Sequence, residues 1–352
     1  MSTSITSSII RTARIGTHVL TSGPSDAPTT VVFIHGNCSS ARFYEETMAN
    51  LPSNIRAIAP DLRGYGKTDP APIDATRGLR DFSDDLAELL RSPELGIKGP
   101  VHVVGWSVGG GVALQLAMDH GDLVKNIVLE ASMSPFGFGG TRPDGSPCYD
   151  DFAGSGGGTA NPDFVARLKK LDTSAESPTS PRNVMNSFYF KPPFRVDEKS
   201  EELFVQEMLA MRVSDQHYPG DMATSTNWPG VAPGKHGVNN ALSPAYCNLS
   251  GFSNIDPKHD VLWIRGDSDQ IVSDTSLFDF GFLGQIGAVP GWPGNDVMPP
   301  QPMIAQLRMV LDAYKARGGN VREVVFKDVG HSPHLEAARA FLDELVPFVS
   351  GR

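Results

Sequence analysis

Cysteine is scarce in this chain. Three occur in 352 residues, and none of Cys38, Cys148 and Cys247 stands in the close pairs that mark a zinc site or a disulfide framework. Reduced thiols in a cytoplasmic setting are the expectation, with a Cys148 to Cys247 bridge left open because both fall within the interruption described below. Basic residues are also outnumbered: 30 Lys and Arg stand against 40 Asp and Glu, a formal net charge of -10 at pH 7. Such a surface repels phosphate backbones and anionic lipids, so nucleic acid is not an expected partner. No uninterrupted apolar run approaches the ~18 residues of a spanning helix, and MSTSITSSIIRTARIG lacks the apolar core of a secretory signal, so no membrane association is expected. That stretch, with Arg11 and Arg14 and no acid before Asp26, faintly resembles a transit peptide, although HVLTSG behind it reads better as an opening strand. Internal repeats and histidines paired at metal-ligand spacing are missing too.

What is present is an ordinary globular composition, 40% hydrophobic and 20% charged, in a chain long enough for one large domain with an inserted part. Short β-branched and aromatic runs, TVVFIHG at 30–36, RAIAPDLRGYG at 56–66, VHVVG at 101–105 and NIVLEAS at 126–132, read as buried strands. LRDFSDDLAELL and GGVALQLAMDH between them read as helices, and this alternation predicts an α/β fold with a mostly parallel twisted sheet covered on both faces. After Ser132 the pattern breaks into FGFGGTRPDGSP and AGSGGGTANP, with helical periodicity in DFVARLKKL and EELFVQEMLAMRV. Regular α/β signals resume at VLWIRGDSD (261–269) and continue through IAQLRMVLDAYKARGG, REVVFKDVG and AARAFLDELVPFV. The expectation is a core of residues 1–132 and 256–352 interrupted by 133–255.

GWSVGG places Ser107 on the turn between a predicted strand and a predicted helix, with Gly105 and Gly109 flanking it. Chemistry gives a reason for such a turn: it holds a hydroxyl exposed in strained backbone, while the following helix N-terminus favours negative charge nearby. A hydroxyl needs a base, usually a histidine oriented by a carboxylate. His331 follows the strand REVVFKDVG and so projects from the same sheet edge as Ser107, whereas His334, past Pro333, is read as packing at a helix start. His18, His102, His120, His217, His236 and His259 are read as surface or packing residues. Asp269, in GDSDQIV at the end of another strand, is the preferred carboxylate, Asp267 beside it is read as structural, and Glu130 at the end of NIVLEAS is the alternative acid.

With Ser107, Asp269 and His331 in that chain order, the sequence resembles the α/β-hydrolase family, in its esterase, lactonase and epoxide-hydrolase-like branch. FIHGN, DLRGYGKTD, GWSVGG, GDSDQIV and GHSPHLE carry the resemblance, which spans the two outer parts of the chain and barely touches the interruption. It implies an α/β-hydrolase fold, no cofactor or metal, and an oxyanion hole from the backbone amides of Asn37 and Val108, with Cys38 as the fallback donor. It also implies structural roles for His35, Asp61 and Arg63. Relatives that open epoxides or displace halide carry aspartate where this chain has Ser107, so an acyl-enzyme is implied instead.

In similar hydrolases, an insertion at the position of 133–255 caps the site. Phe136, Phe138, Phe188, Tyr189, Phe190, Met208, Met211, Met222 and Trp228 are its candidate pocket residues, and Phe278, Phe282 and Trp292 of a second long connection at 278–300 join them. The expected substrate is a hydrophobic small-molecule ester or lactone, a macrocyclic lactone among the possibilities. C–C bond hydrolysis, acyl or peroxide transfer, and a non-catalytic ligand receptor are the alternatives on the same scaffold.

Overall fold

The computed structural model describes residues 4–351. Its main sheet has eight strands: β1 (Thr6–Arg11), β2 (Gly16–Ser22), β3 (Thr29–Ile34), β4 (Ile55–Pro60), β5 (Val101–Trp106), β6 (Val124–Glu130), β7 (Asp260–Gly266) and β8 (Val321–Phe326). The spatial order is β1-β2-β4-β3-β5-β6-β7-β8. Every pairing from β4 to β8 is parallel, while β1 with β2 and β2 with β4 are antiparallel. The six runs read as strands in the two outer parts fall in β3 to β8 and β2 contains HVLTSG up to Ser22, whereas β1 was not foreseen. Its Ser and Thr residues alternate too little in polarity to announce a strand, and it lies mostly exposed as the sheet's edge.

The central strands are buried from end to end, and this explains their unbroken apolar sequences: a strand covered on both faces has no polar side to alternate. Helix α1 (Arg80–Arg91) shows the opposite pattern. Phe82, Leu86, Leu89 and Leu90 make its apolar stripe. Asp81 and Asp85 on the same helix are also buried, but Arg63 compensates them, reaching Asp85 with two bonds of 2.7 and 2.8 Å and lying 3.4 Å from Asp81. Arg63 and Asp61 therefore act as braces, the latter accepting from the amides of Ala41 and Lys67 and pairing with His18. Helix α2 (Val108–Asp119) packs against α1, β5 and β6.

Between β6 and β7 the chain makes a long excursion. It holds helices α3 (Pro162–Lys169), α4 (Glu198–Leu209) and α5 (Val238–Ala241), a π-helical turn at Met185–Tyr189 and two small strand pairs. After β7 come α6 (Phe280–Gln285), inside the connection expected to be irregular, then α7 (Met303–Ala316), and after β8 the closing helix α8 (Ala338–Ser350). Cys38, Cys148 and Cys247 are all free, so the bridge left open between the last two is not formed. No helix among the described residues is long and apolar enough to cross a membrane.

Candidate active site

β5 ends at Trp106 and α2 begins at Val108, so Ser107 alone makes the turn, with φ 57° and ψ -117°. An L-residue adopts positive φ only when its surroundings over-determine it. Here they do: the Ser107 amide donates to Glu130 O at 2.9 Å, and its carbonyl accepts from the Gly110 and Met133 amides. The flanking glycines are sterically required. A Cβ on Gly105 would lie 2.2 Å from Gly109 O, and one on Gly109 would lie 2.2 Å from Ile34 O.

His331 stands in the loop between β8 and α8 and is buried except where it meets the cavity. Its Nδ1 is 2.7 Å from Asp269 Oδ2. The other carboxylate oxygen, Oδ1, accepts from the amides of Ile271 and Val272, so both oxygens are engaged and the carboxylate orientation is fixed. Two further groups hold the loop. Trp106 Nε1 donates to His331 O at 2.7 Å, and Glu336 accepts from the amides of Gly330, Ser332 and Lys191. Burial pushes the Glu336 carboxyl up, against the lowering effect of those three amides. Neither holder was singled out in the sequence. GHSPHLE contains Glu336 and GWSVGG contains Trp106, so the signal lay inside the motifs, at positions given no role.

Glu130 has a different partner. Its Oε1 accepts from both the backbone amide and Nδ1 of His334, at 2.8 and 2.7 Å, while Oε2 accepts from Tyr44 OH at 3.1 Å. This pair is fully buried and does not line the cavity that holds Ser107 and His331. The alternative acid is thus brought to His334, and Asp269 to His331.

The turn after β3 faces the elbow. Among the described residues, the amides of Asn37 and Val108 have no acceptor, whereas the Cys38 amide donates to Asn37 Oδ1 at 3.0 Å and is already spent. Tyr189 OH is shared between the carbonyls of Asn37 and Cys38, at 3.1 and 3.0 Å, and Tyr65 OH donates to Asn37 Oδ1 at 2.6 Å. His35 braces the same turn from below. Leu62 N donates to its Nε2, so Nδ1 carries the proton and donates to Gly36 O, and burial lowers the pKa of this neutral imidazole. Burial pushes the Cys38 thiol up to about 12, which leaves it protonated and a poor nucleophile.

Ser107, Val108, Asn37 and His331 line one cavity of about 740 Å³. No hydrogen bond joins Ser107 to His331 in this structure. Phe138, Phe188, Tyr189 and Phe278 line it as expected from sequence. Phe136, Met208, Met211, Trp228, Phe282 and Trp292 do not. Phe136 covers Gly145 instead, where a Cβ would lie 2.1 Å from its ring. Met208 and Met211 are buried in the hydrophobic core beside α4. Trp228 stands behind the wall, edge-on to Phe280 at 5.9 Å and bonded to Pro290 O. Trp292 bonds Met298 O and lies over Gly284. On α6, Phe280 and Leu283 line the cavity as an i, i+3 pair, which turns Phe282 off that face. Phe190 is sealed against Phe194, and Met222 is exposed to solvent. The wall residues sequence reasoning missed include aliphatic side chains in loops and a six-residue helix, Ile271, Leu277, Leu283 and Val289, which no periodicity betrays, and the aromatics Phe164, Tyr218 and Phe280. Among the described residues, no group of three His, Cys, Asp or Glu side chains could hold a metal ion.

A mostly parallel sheet with a strained serine at a strand-to-helix turn, and an aspartate-paired histidine lining the same cavity, defines the class of the protein as α/β. The sequence model of the alpha/beta hydrolase family matches residues 31–344, and the chain belongs to that family. It is 35% identical over 109 residues to a pimeloyl-[acyl-carrier protein] methyl ester esterase of Neisseria meningitidis serogroup B, covering 31% of this chain and 38% of that one. It is 33% identical over 101 residues to the magnesium-chelatase 30 kDa subunit of Rhodobacter capsulatus, covering 29% and 34%. The chain therefore spans a little over a third of the length of these curated relatives. Among solved structures it is similar to a serine hydrolase of Cycloclasticus zankles, with TM-score 0.62, 18% identity and 99% of each chain covered, a likeness of fold.

Proposed function

We propose that this protein is a serine carboxylic ester hydrolase that cleaves an ester or lactone of a hydrophobic small molecule. One observation carries the reading: of the three buried histidine–carboxylate pairs with contacts of 2.7 Å, His18–Asp61, His331–Asp269 and His334–Glu130, only the second opens onto the cavity that also holds Ser107. The name of the Neisseria relative, a methyl ester esterase, points the same way.

In this reading Asp269 keeps the proton of His331 on Nδ1, which leaves Nε2 as the base. His331 takes the hydroxyl proton of Ser107, whose Oγ attacks the ester carbonyl. The oxyanion accepts from the free amides of Asn37 and Val108, at the positive end of α2; each such donor contributes about 2.7–4 kcal/mol in comparable sites. Collapse of the tetrahedral adduct expels the alcohol, which takes its proton from His331. Water, deprotonated by the same imidazole, then releases the acid and restores Ser107. In this reading the contact between Ser107 and His331 tightens into a hydrogen bond as substrate binds, as such contacts commonly do. Residues 133–255 serve as a cap in this proposal, and together with the connection after Asp269 they supply the apolar wall that selects a hydrophobic substrate.

A fluorophosphonate probe tests the chemistry. Wild type labels at Ser107, Ser107→Ala does not label, and His331→Ala labels at least about a thousandfold more slowly. An unlabelled wild type points instead to a ligand-binding protein on a hydrolase scaffold.

A further inference from the structure

The cavity is mostly apolar, so any hydrogen-bonding group left free in its wall matters. Beside Ser107 and His331, the amide and small hydroxyl side chains in the wall are Asn37, Thr159, Asn161, Thr179 and Asn239. Thr159 gives its proton to Gly156 O and Thr179 gives its own to Asp163. Asn161 caps α3 and is exposed to solvent. The Asn37 side chain is engaged at both ends: its Oδ1 accepts from Cys38 N and Tyr65 OH, which fixes the amide orientation and turns Nδ2 outward. That Nδ2 donates to Asn239 Oδ1 at 3.2 Å.

The consequence falls on Asn239. Because its oxygen accepts from Asn37, both protons of its own Nδ2 remain, and among the described residues they meet no acceptor. The group is half-buried in the wall, one hydrogen bond away from the residue whose backbone amide faces the elbow. It is also rigidly mounted. Its neighbour Asn240, fully buried on the same helix α5, accepts from Gly157 and Gly234 amides and donates to the carbonyls of Asp221 and His236. One asparagine ties the helix down and the next presents a donor to the cavity.

We propose that Asn239 reads the substrate: its Nδ2 donates to a second acceptor oxygen, a carbonyl, ether or hydroxyl, placed beside the scissile ester. The preferred substrates are then oxygenated esters, because a plain alkyl ester leaves a desolvated donor without a partner when it fills the cavity. This rests on the serine-ester-hydrolase reading of the site.

The test compares three probes: methyl octanoate, methyl 3-oxooctanoate with the extra oxygen on the acyl side, and 2-methoxyethyl octanoate with it on the alcohol side. Asn239→Leu removes the donor and the prop for Asn37 together. Asn239→Asp keeps an oxygen for Asn37 and replaces the donor with a charged acceptor. In both variants, kcat/KM on one of the oxygenated esters falls about tenfold further than on methyl octanoate, and which ester responds identifies the side that Asn239 faces. Equal losses on all three esters, or no change on any, overturn the proposal while fluorophosphonate labelling of wild type leaves the parent reading standing. A wild type that does not label overturns both.

Discussion

Two carboxylate–imidazole pairs flank one indole. Trp106 lies 5.6 Å from the His331 ring on one side and 5.1 Å from the His334 ring on the other. The bond lengths to Asp269 and Glu130 are the same, 2.7 Å, and both histidines come from the GHSPHLE stretch. What separates them is access. His331 reaches the cavity with Ser107, whereas His334 is sealed under Tyr44 and Trp106, with Nε2 buried and unpartnered. Pair geometry alone therefore says nothing about chemistry, and an imidazole becomes a base only where something can approach its free nitrogen.

The strongest test exchanges the two acids. If the proposed ester hydrolysis is the activity, Asp269→Asn, by removing the charge that orients His331, lowers kcat by about 10⁴-fold on every ester hydrolysed. Glu130→Gln disturbs the sealed pair, costing about 1–3 kcal/mol of stability in denaturant unfolding while kcat/KM stays within about threefold. The reverse outcome, activity lost in the Glu130 variant and kept in the Asp269 variant, would exchange the two roles.

A third kind of imidazole sharpens the contrast. His102 is buried on β5 with neither ring nitrogen bonded, and burial lowers its pKa to about 4. Its folded value lies below its unfolded one of 6.5, so the unfolded chain takes up the proton first as pH falls. The stability term is therefore intact above pH 6.5 and is lost between there and about 4, by roughly 1.4 kcal/mol per unit and on the order of 3 kcal/mol in all. His102→Leu flattens that part of the stability–pH curve measured by urea unfolding. Identical curves for the two proteins would mean that the buried imidazole is already solvated.

The smallest expected effect belongs to the indole between the pairs. Trp106→Phe keeps an aromatic ring and deletes the donor to His331 O; the lost bond contributes about 0.5–1.5 kcal/mol, to which the smaller ring adds a packing cost. Activity falls several-fold through a loosened His331 loop, with no change in which esters are preferred. Because the indole also lines the cavity, a shift in preference would show that it selects the ester as well as holding the loop.

The parts of the molecule differ in how far sequence reveals them. The central strands β3 and β5 are legible because buried parallel strands are continuous apolar runs closed by glycine, and the elbow because its glycines are sterically compelled. His331 and Asp269 follow from strand-end logic, but the same logic offers Glu130, and only the folded chain shows that it meets His334. The cavity wall is where reasoning from residue type fails. Large aromatic and methionine side chains draw attention, yet Met208 and Phe136 are packing residues, while Val231, Leu242 and Val289 line the space. Side-chain size predicts burial, and burial does not distinguish a core from a pocket. β1 and α6 escaped for a simpler reason, being short segments of weak pattern whose order comes from their neighbours.

Tyr189 gives the architecture a practical constraint. Its phenol comes from the long excursion yet steadies both carbonyls of the 37–38 turn, which belongs to the sheet half. A transplanted cover from another hydrolase would bring a new cavity shape but leave those two carbonyls without their clasp. Chimaeras built on this scaffold should therefore carry a hydroxyl-bearing ring to the same spot, or the turn facing the elbow will lose its aim before any substrate arrives.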